Sequence, residues 1–214
     1  MSTRSTVIAS LVFILAAVAL SLAVYSRLPE PMASHWDVND QVNGTTSRFW
    51  GAFLMPILAS VMLGLFLVIP GIDPLKANIA KFRGFFNTFI ALIMAFLLYL
   101  HVLSIAWNLG VQSFRMSTAL LPALGLLFAF AGVMMRQAKR NFFIGIRTPW
   151  TLSSDKVWDE THRLGATLFI ASGVLALLGA LLPGPVAYWL VLAPIMASTL
   201  IVIVYSYVLW RREQ

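Results

Sequence analysis

Three residues in one short stretch have the types that acyl-transfer chemistry uses. Ser154, Asp159 and His162 match the nucleophile, orienter and base of a hydrolase triad. On one helix, however, Ser154 and His162 stand two turns apart, ~12 Å along the axis and far beyond hydrogen-bond reach. A second set, His35 with Asp37 and Asp40, has the types of a zinc site, but no second histidine lies three or four residues away. The chain has no cysteine, so thiolate ligands and disulfides are excluded. A Gly-rich phosphate loop and an H-E-x-x-H pair are absent as well. The sequence therefore predicts no enzyme, no metal and no cofactor. His101 is the one ionisable side chain inside an apolar run. It reads either as a histidine bonded to a neighbouring helix or interfacial water, or as a ligand or proton site.

The elements that must position these side chains are plain from composition. Of 214 residues, 60% are hydrophobic and 11% charged, where a soluble domain carries roughly 25% charged. A membrane span needs about 20 apolar residues. Six runs qualify: Thr6–Tyr25, Phe49–Ile69, Phe85–Trp107, Ser117–Met135, Leu164–Leu182 and Val186–Leu209. The fold class this predicts is all-α, a polytopic bundle of six transmembrane helices, with residues 1–214 as a single membrane domain. The first run is long for a signal-peptide core and no A-x-A-like site closes it, which predicts an uncleaved anchor.

Net charge is +7, yet the basic residues are scattered between apolar runs, so they read as orientation signals and not as a nucleic-acid surface. Twelve Lys and Arg fall in the N-terminus, the second and fourth connections and the C-terminal tail, against three (Arg27, Arg48, Arg115) in the remaining connections. The positive-inside rule then places both termini and the loop 136–163 on the cytoplasmic side of the membrane, and the loop 27–48 outside.

All eight acids lie outside the six runs, which argues against ion-coupled transport. A small-molecule or peptide transporter or exporter remains the alternative function. Leu54–Ser60 and Leu192–Ser198 share a phrase around a proline, and Arg83–Ala91 and Arg163–Ala171 share another. These read as three similar hairpins or as chance likeness among apolar segments. Pro56, Pro122 and Pro194 each free a backbone carbonyl, and together they frame an outward-facing groove or are bends with no cavity.

In the outer segment, Leu28-Pro29 ends the first helix and Asn43-Gly44 signals a turn. His35 and Trp36 offer a recognition surface, and Trp36 and Trp50 suit the headgroup level. In the inner segment, Gly145 relieves backbone sterics, Thr148-Pro149 forces a turn, and Ser153 or Ser154 caps a helix rich in early acids. That helix continues into the fifth span. Asp159 with Arg163, and Lys156 with Glu160, are spaced to pair, and Trp158 and His162 share a face. Arg147 and Trp150 read as interfacial anchors or as docking residues.

The segment Lys139–Gly165 resembles the hallmark of the SdpI family of bacterial membrane proteins. The matching residues are Asn141, the run Gly145-Ile146-Arg147-Thr148-Pro149-Trp150-Thr151, then Ser154, Val157-Trp158 and Thr161-His162-Arg163. The outer Leu28-Pro29, His35-Trp36 and Gly44 resemble an uncharacterised N-terminal module common in that family, with Arg48 where a lysine is usual. The resemblance implies an immunity protein that protects its producer from a secreted, membrane-active peptide toxin met on the outer face. It also implies a signal relay that holds a cytoplasmic repressor protein at the membrane. The partners expected are thus membrane lipid, a peptide toxin and a soluble regulator, with no nucleic acid.

Overall fold

A computed structural model describes residues 1–182 and 184–214. Its helices are α1 (Thr3–Val24), α2 (Arg48–Ile72), α3 (Lys76–Lys81), α4 (Arg83–Asn108), α5 (Met116–Gln137), α6 (Pro149–Ser153), α7 (Asp155–Gly179) and α8 (Gly184–Arg211). Six of them are long and apolar enough to cross a membrane, one for each run expected.

The packing has two halves. Helices α1, α2 and α4 contact one another, as do α5, α7 and α8, and the α4–α5 contact joins the two sets. Small residues draw α5 and α7 together. A methyl group added at Gly173 would lie 2.5 Å from the Gly125 carbonyl oxygen, and one at Gly132 would lie 2.6 Å from that of Ala166. Where lipid is as apolar as leucine, such close backbone packing replaces the hydrophobic drive. A core of Ile79, Phe82, Phe86, Ile90, Ile144 and Trp158 bridges the halves at one end of the bundle.

One of the two prolines in α2, Pro56, has its consequence met. Pro56 cannot donate to the Ala52 carbonyl one turn earlier. Ser21 of α1 supplies the missing donor, its hydroxyl 2.5 Å from Ala52 O. His101 Nε2 sits 2.9 Å from the same hydroxyl, so its N–H donates to the Ser21 oxygen. The histidine inside the membrane run is thus bonded to a neighbouring helix, fully buried.

The segment 27–48 holds more structure than a loop. A 3-10 turn (Tyr25–Arg27) leads, past Leu28-Pro29, into an antiparallel hairpin of β1 (Met32–Trp36) and β2 (Val42–Thr46). The expected Asn43-Gly44 turn is not the turn. Both residues lie within β2, and Gly44 pairs with His35, where an added methyl would stand 3.0 Å from His35 Cβ. The chain reverses instead at 37–41. Asp37 Oδ1 accepts from Asn39 N at 2.8 Å and from Gln41 N at 2.9 Å, and Asp40 takes a positive φ of 62°. Asp37 thus makes its own turn by bonding backbone two residues on, and an aspartate such as Asp40 tolerates the positive φ that closes it.

Candidate functional site: a bonded motif end and a hollow hairpin end

The inner segment folds as a tight knot between α5 and α7. Asn141 is fully buried. Its Oδ1 accepts from Phe143 N (2.9 Å) and Ile144 N (2.6 Å), and its Nδ2 donates to Lys139 O and Ile144 O, both 2.9 Å. Gly145 has φ +111°, and a methyl there would strike His162 Nε2. That nitrogen accepts from Ile146 N at 3.0 Å, while Nδ1–H donates to Trp158 O at 2.9 Å. The imidazole is therefore the Nδ1–H tautomer, with both nitrogens spent on backbone. Trp158 stacks on it at 4.0 Å between ring centres and donates Nε1–H to Ala138 O at 2.9 Å.

Thr148-Pro149, expected as a turn, opens the short helix α6. Thr148 Oγ1 accepts from Thr151 N, and Thr151 Oγ1 accepts from Thr148 N, a reciprocal capping box with proline in the first turn. Thr151 Oγ1 also donates to Ile146 O at 2.8 Å, and Thr148 reaches Ser206 of α8 at 3.0 Å. Ser154 caps α7 as expected, accepting from Val157 N, and donates to Glu213 at 2.8 Å. Asp159 pairs with Lys139. Ser154, Asp159 and His162 are therefore each engaged elsewhere and form no triad.

The two charge pairs expected four residues apart do not form. Lys156 meets Glu213 at 3.4 Å, and Arg163 meets Glu160 one position closer than Asp159. Tertiary partners from the loop after α5 and from the C-terminal tail outcompete a weak intrahelical pairing. Thr161 is buried, Arg163 is exposed, and Arg147 is exposed with Nη1 on Phe142 O at 2.9 Å. Trp150 packs on Tyr207 of α8, ring centres 5.0 Å apart.

Three residues that sequence reading passed over complete the knot. Asp73, at the end of α2, accepts from Leu75 N and, with its other oxygen, from Phe142 N at 2.9 Å. Asn78 donates to Arg140 O at 2.9 Å. Asn87 of α4 donates to Met1 O and Thr3 Oγ1, which holds the N-terminus at this end too. The only sequence signal was their type, a small polar residue beside an apolar run or, for Asn87, near its start. Phe142 and Phe143 stay 45% and 37% exposed, an apolar pair beside Arg147 that no periodicity marked.

At the other end the hairpin lies across the helices. Asp40 reaches α5, its two oxygens accepting from Ser117 N and Ser117 Oγ, both at 2.7 Å. It supplies the helix N-terminus with a cap from a distant part of the chain. Ala33 exchanges two bonds with Asn108 of α4. Trp36 packs edge-on against Trp107, centres 5.4 Å apart. Beneath the hairpin is a cavity of about 610 Å³. His35, Trp36, Asp37 and Asn43 roof it, and Met55, Leu121 and Leu192 reach it from α2, α5 and α8. Those three residues stand next to, or two before, Pro56, Pro122 and Pro194, so the proline-bearing turns do surround a groove. Of the outer residues singled out, His35 and Trp36 line it, whereas Pro29 and Gly44 shape the approach to β1 and its pairing with β2.

Residues 137–206, the motif loop through most of α8, match the SdpI/YfhL protein family. Residues 12–59, from α1 through the hairpin into α2, match a domain of unknown function, DUF1648. Over residues 137–206 the chain is thus similar to the SdpI/YfhL family. Among relatives, it is similar to the immunity protein SdpI of Bacillus subtilis (strain 168), 24% identical over 166 residues that cover 78% of this chain and 77% of the relative. No solved structure matches the chain. The SdpI/YfhL match thus falls on the bonded knot, and the second match on the hairpin. Most of α4 and α5, whose side chains also wall the cavity, lies outside both.

Proposed function

We propose that this protein is a multi-pass immunity protein of the bacterial cytoplasmic membrane, protecting its producer from a membrane-active peptide that arrives at the hairpin end. The cavity under the hairpin carries this reading, since it is a preformed, largely apolar recess of the size ligand sites have. The relative's name as an immunity protein supports it. The protein performs no chemistry of its own, in keeping with the separate engagements of Ser154, Asp159 and His162. The motif end and both termini face the cytoplasm, in keeping with twelve basic residues on that side against three. There Phe142, Phe143 and Arg147 form an exposed docking surface for a cytoplasmic regulator. A transporter would need a polar path through the motif end, where Asn141, Trp158 and His162 are buried and bonded.

Expression in a sensitive bacterium should raise tolerance to a cognate membrane-active peptide, and unchanged tolerance across a peptide panel would count against immunity. Arg147→Ala or Trp150→Ala should weaken tolerance without loss of protein. The chain lacks cysteine, so single-cysteine labelling reads topology cleanly. Asn39→Cys should label from the medium and Arg147→Cys only after permeabilisation; the reverse pattern would overturn the orientation.

A further inference from the structure

We propose that the cavity beneath the hairpin takes the apolar side chains of a cationic amphipathic peptide, whose positive charge rests against Asp37. The immunity reading supplies the source of that peptide; the binding itself does not depend on it. Leu100, Leu120, Leu124 and Val191 make the floor and walls apolar, which suits leucine-like side chains. Two features of the roof choose a peptide over a lipid tail. Among the described residues, Asp37 is the only formally charged side chain on the lining, and no lysine or arginine joins it. A phospholipid phosphate at this mouth would meet a carboxylate and no cation, whereas a lysine of a peptide would be attracted. Among the acids here, Asp40 spends both oxygens on Ser117, and Glu30 is paired with Arg48. Asp37 uses Oδ1 for its own turn, and Oδ2 makes no hydrogen bond among the described residues.

The second feature is Trp36. Trp36 is part of the roof, and its indole N–H is shielded from water with no partner among the described residues. A buried donor without an acceptor is costly. A peptide backbone offers carbonyl acceptors, and a hydrocarbon chain offers none. The hairpin thus presents one anion above an apolar well, with an unpaired donor buried in its roof, which matches an amphipathic chain with a basic residue next to its apolar face.

The test uses the full-length protein in phosphatidylcholine nanodiscs, with empty nanodiscs as control. The probes are a synthetic leucine–lysine amphipathic peptide and its counterpart with every lysine acetylated. The cationic form should bind more tightly, and Asp37→Asn should weaken it about fivefold while leaving the acetylated form unchanged. Filling the well from α8 with Leu192→Trp, or from α5 with Leu120→Trp, should cost about tenfold or more for both peptides. A benzoylphenylalanine placed at Leu100 should capture the peptide, a readout independent of either filled variant's folding. Undiminished binding in both folded filled variants would overturn the proposal. So would capture of phospholipid acyl chains that the peptide fails to displace, which would give the cavity to lipid. Filled variants that lose binding yet keep full tolerance in cells would remove the cavity from immunity. Wild-type protein that binds the peptide yet confers no tolerance would instead sink the immunity reading and leave the site standing.

Discussion

Asn141 at the motif end and His35 at the hairpin end are both polar residues in motifs a reader would pick for function. Asn141 is wholly buried and makes four hydrogen bonds to backbone, all local. His35 is exposed, bonded to Asn43 across the hairpin, and lines a cavity. The same contrast separates Trp158, stacked and sealed, from Trp36, whose N–H is buried without a partner. A dense run of specific side chains at the motif end is therefore mostly an internal scaffold. It ties a crossing between α5 and α7 whose backbone would otherwise leave polar groups unsatisfied at the membrane boundary. The hairpin end has fewer such bonds and the larger hollow. What faces a ligand there is mainly ordinary leucine, valine and methionine, with a thin polar roof.

The largest effect that sharpens this contrast is expected at Asn141. Asn141→Leu removes one acceptor from two amides and one donor from two carbonyls in a buried loop. The expected cost is about 3–5 kcal/mol, the scale of leaving several buried backbone groups unpaired. Asn141→Asp keeps the acceptor and loses the donor, so it should also destabilise. Thermal unfolding in detergent measures both. A Leu variant that melts like wild type would mean the knot is not what holds the motif end, and the motif would return to being a free docking surface.

How the residues were legible follows the same division. Six spans showed in the sequence because lipid demands long, uninterrupted apolar runs, and the helices found match them one for one. Ser154 as a cap, α7 running unbroken into its span, and the shared face of Trp158 and His162 were also legible, because each depends on neighbours within one helix. Ion pairs were misread for the complementary reason. Asp159 and Lys156 find partners 20 or more positions away, and spacing along one helix says nothing of those. The hairpin turn was misplaced because Asn-Gly is the stronger local signal, yet two-residue register and the Asp37 side chain put the reversal at 37–41. Asp73, Asn78 and Ser21 were invisible, since each matters only through a chain segment that tertiary packing brings to it.

A smaller effect is expected at the hairpin clasp. Asp40→Ala removes both bonds to Ser117 and the cap of α5, worth about 1–2 kcal/mol at a helix N-terminus. The loss should be local. Hydrogen exchange should quicken across 32–46 and the first turn of α5, with α7 and the motif loop unchanged. If protection at the motif end fell in step, the two ends would be one cooperative unit and the contrast between them would be only geometric.

The smallest effect tests the contrast inside the motif end itself. Lys139 and Asp159 meet at 3.3 Å, but their side chains are 49% and 56% exposed. An ion pair in that setting gains little over hydration, spends side-chain entropy and is screened by salt. Lys139→Gln should therefore move stability by no more than about 0.5 kcal/mol, with the difference vanishing in high salt. Lys139 lies only two residues from Asn141 in sequence, so the two substitutions probe one segment by burial alone. Stability loss at Lys139 comparable with that at Asn141 would show that charge, not satisfied backbone, organises this end. The basic residues counted for orientation would then have a structural duty that positive-inside reasoning does not supply.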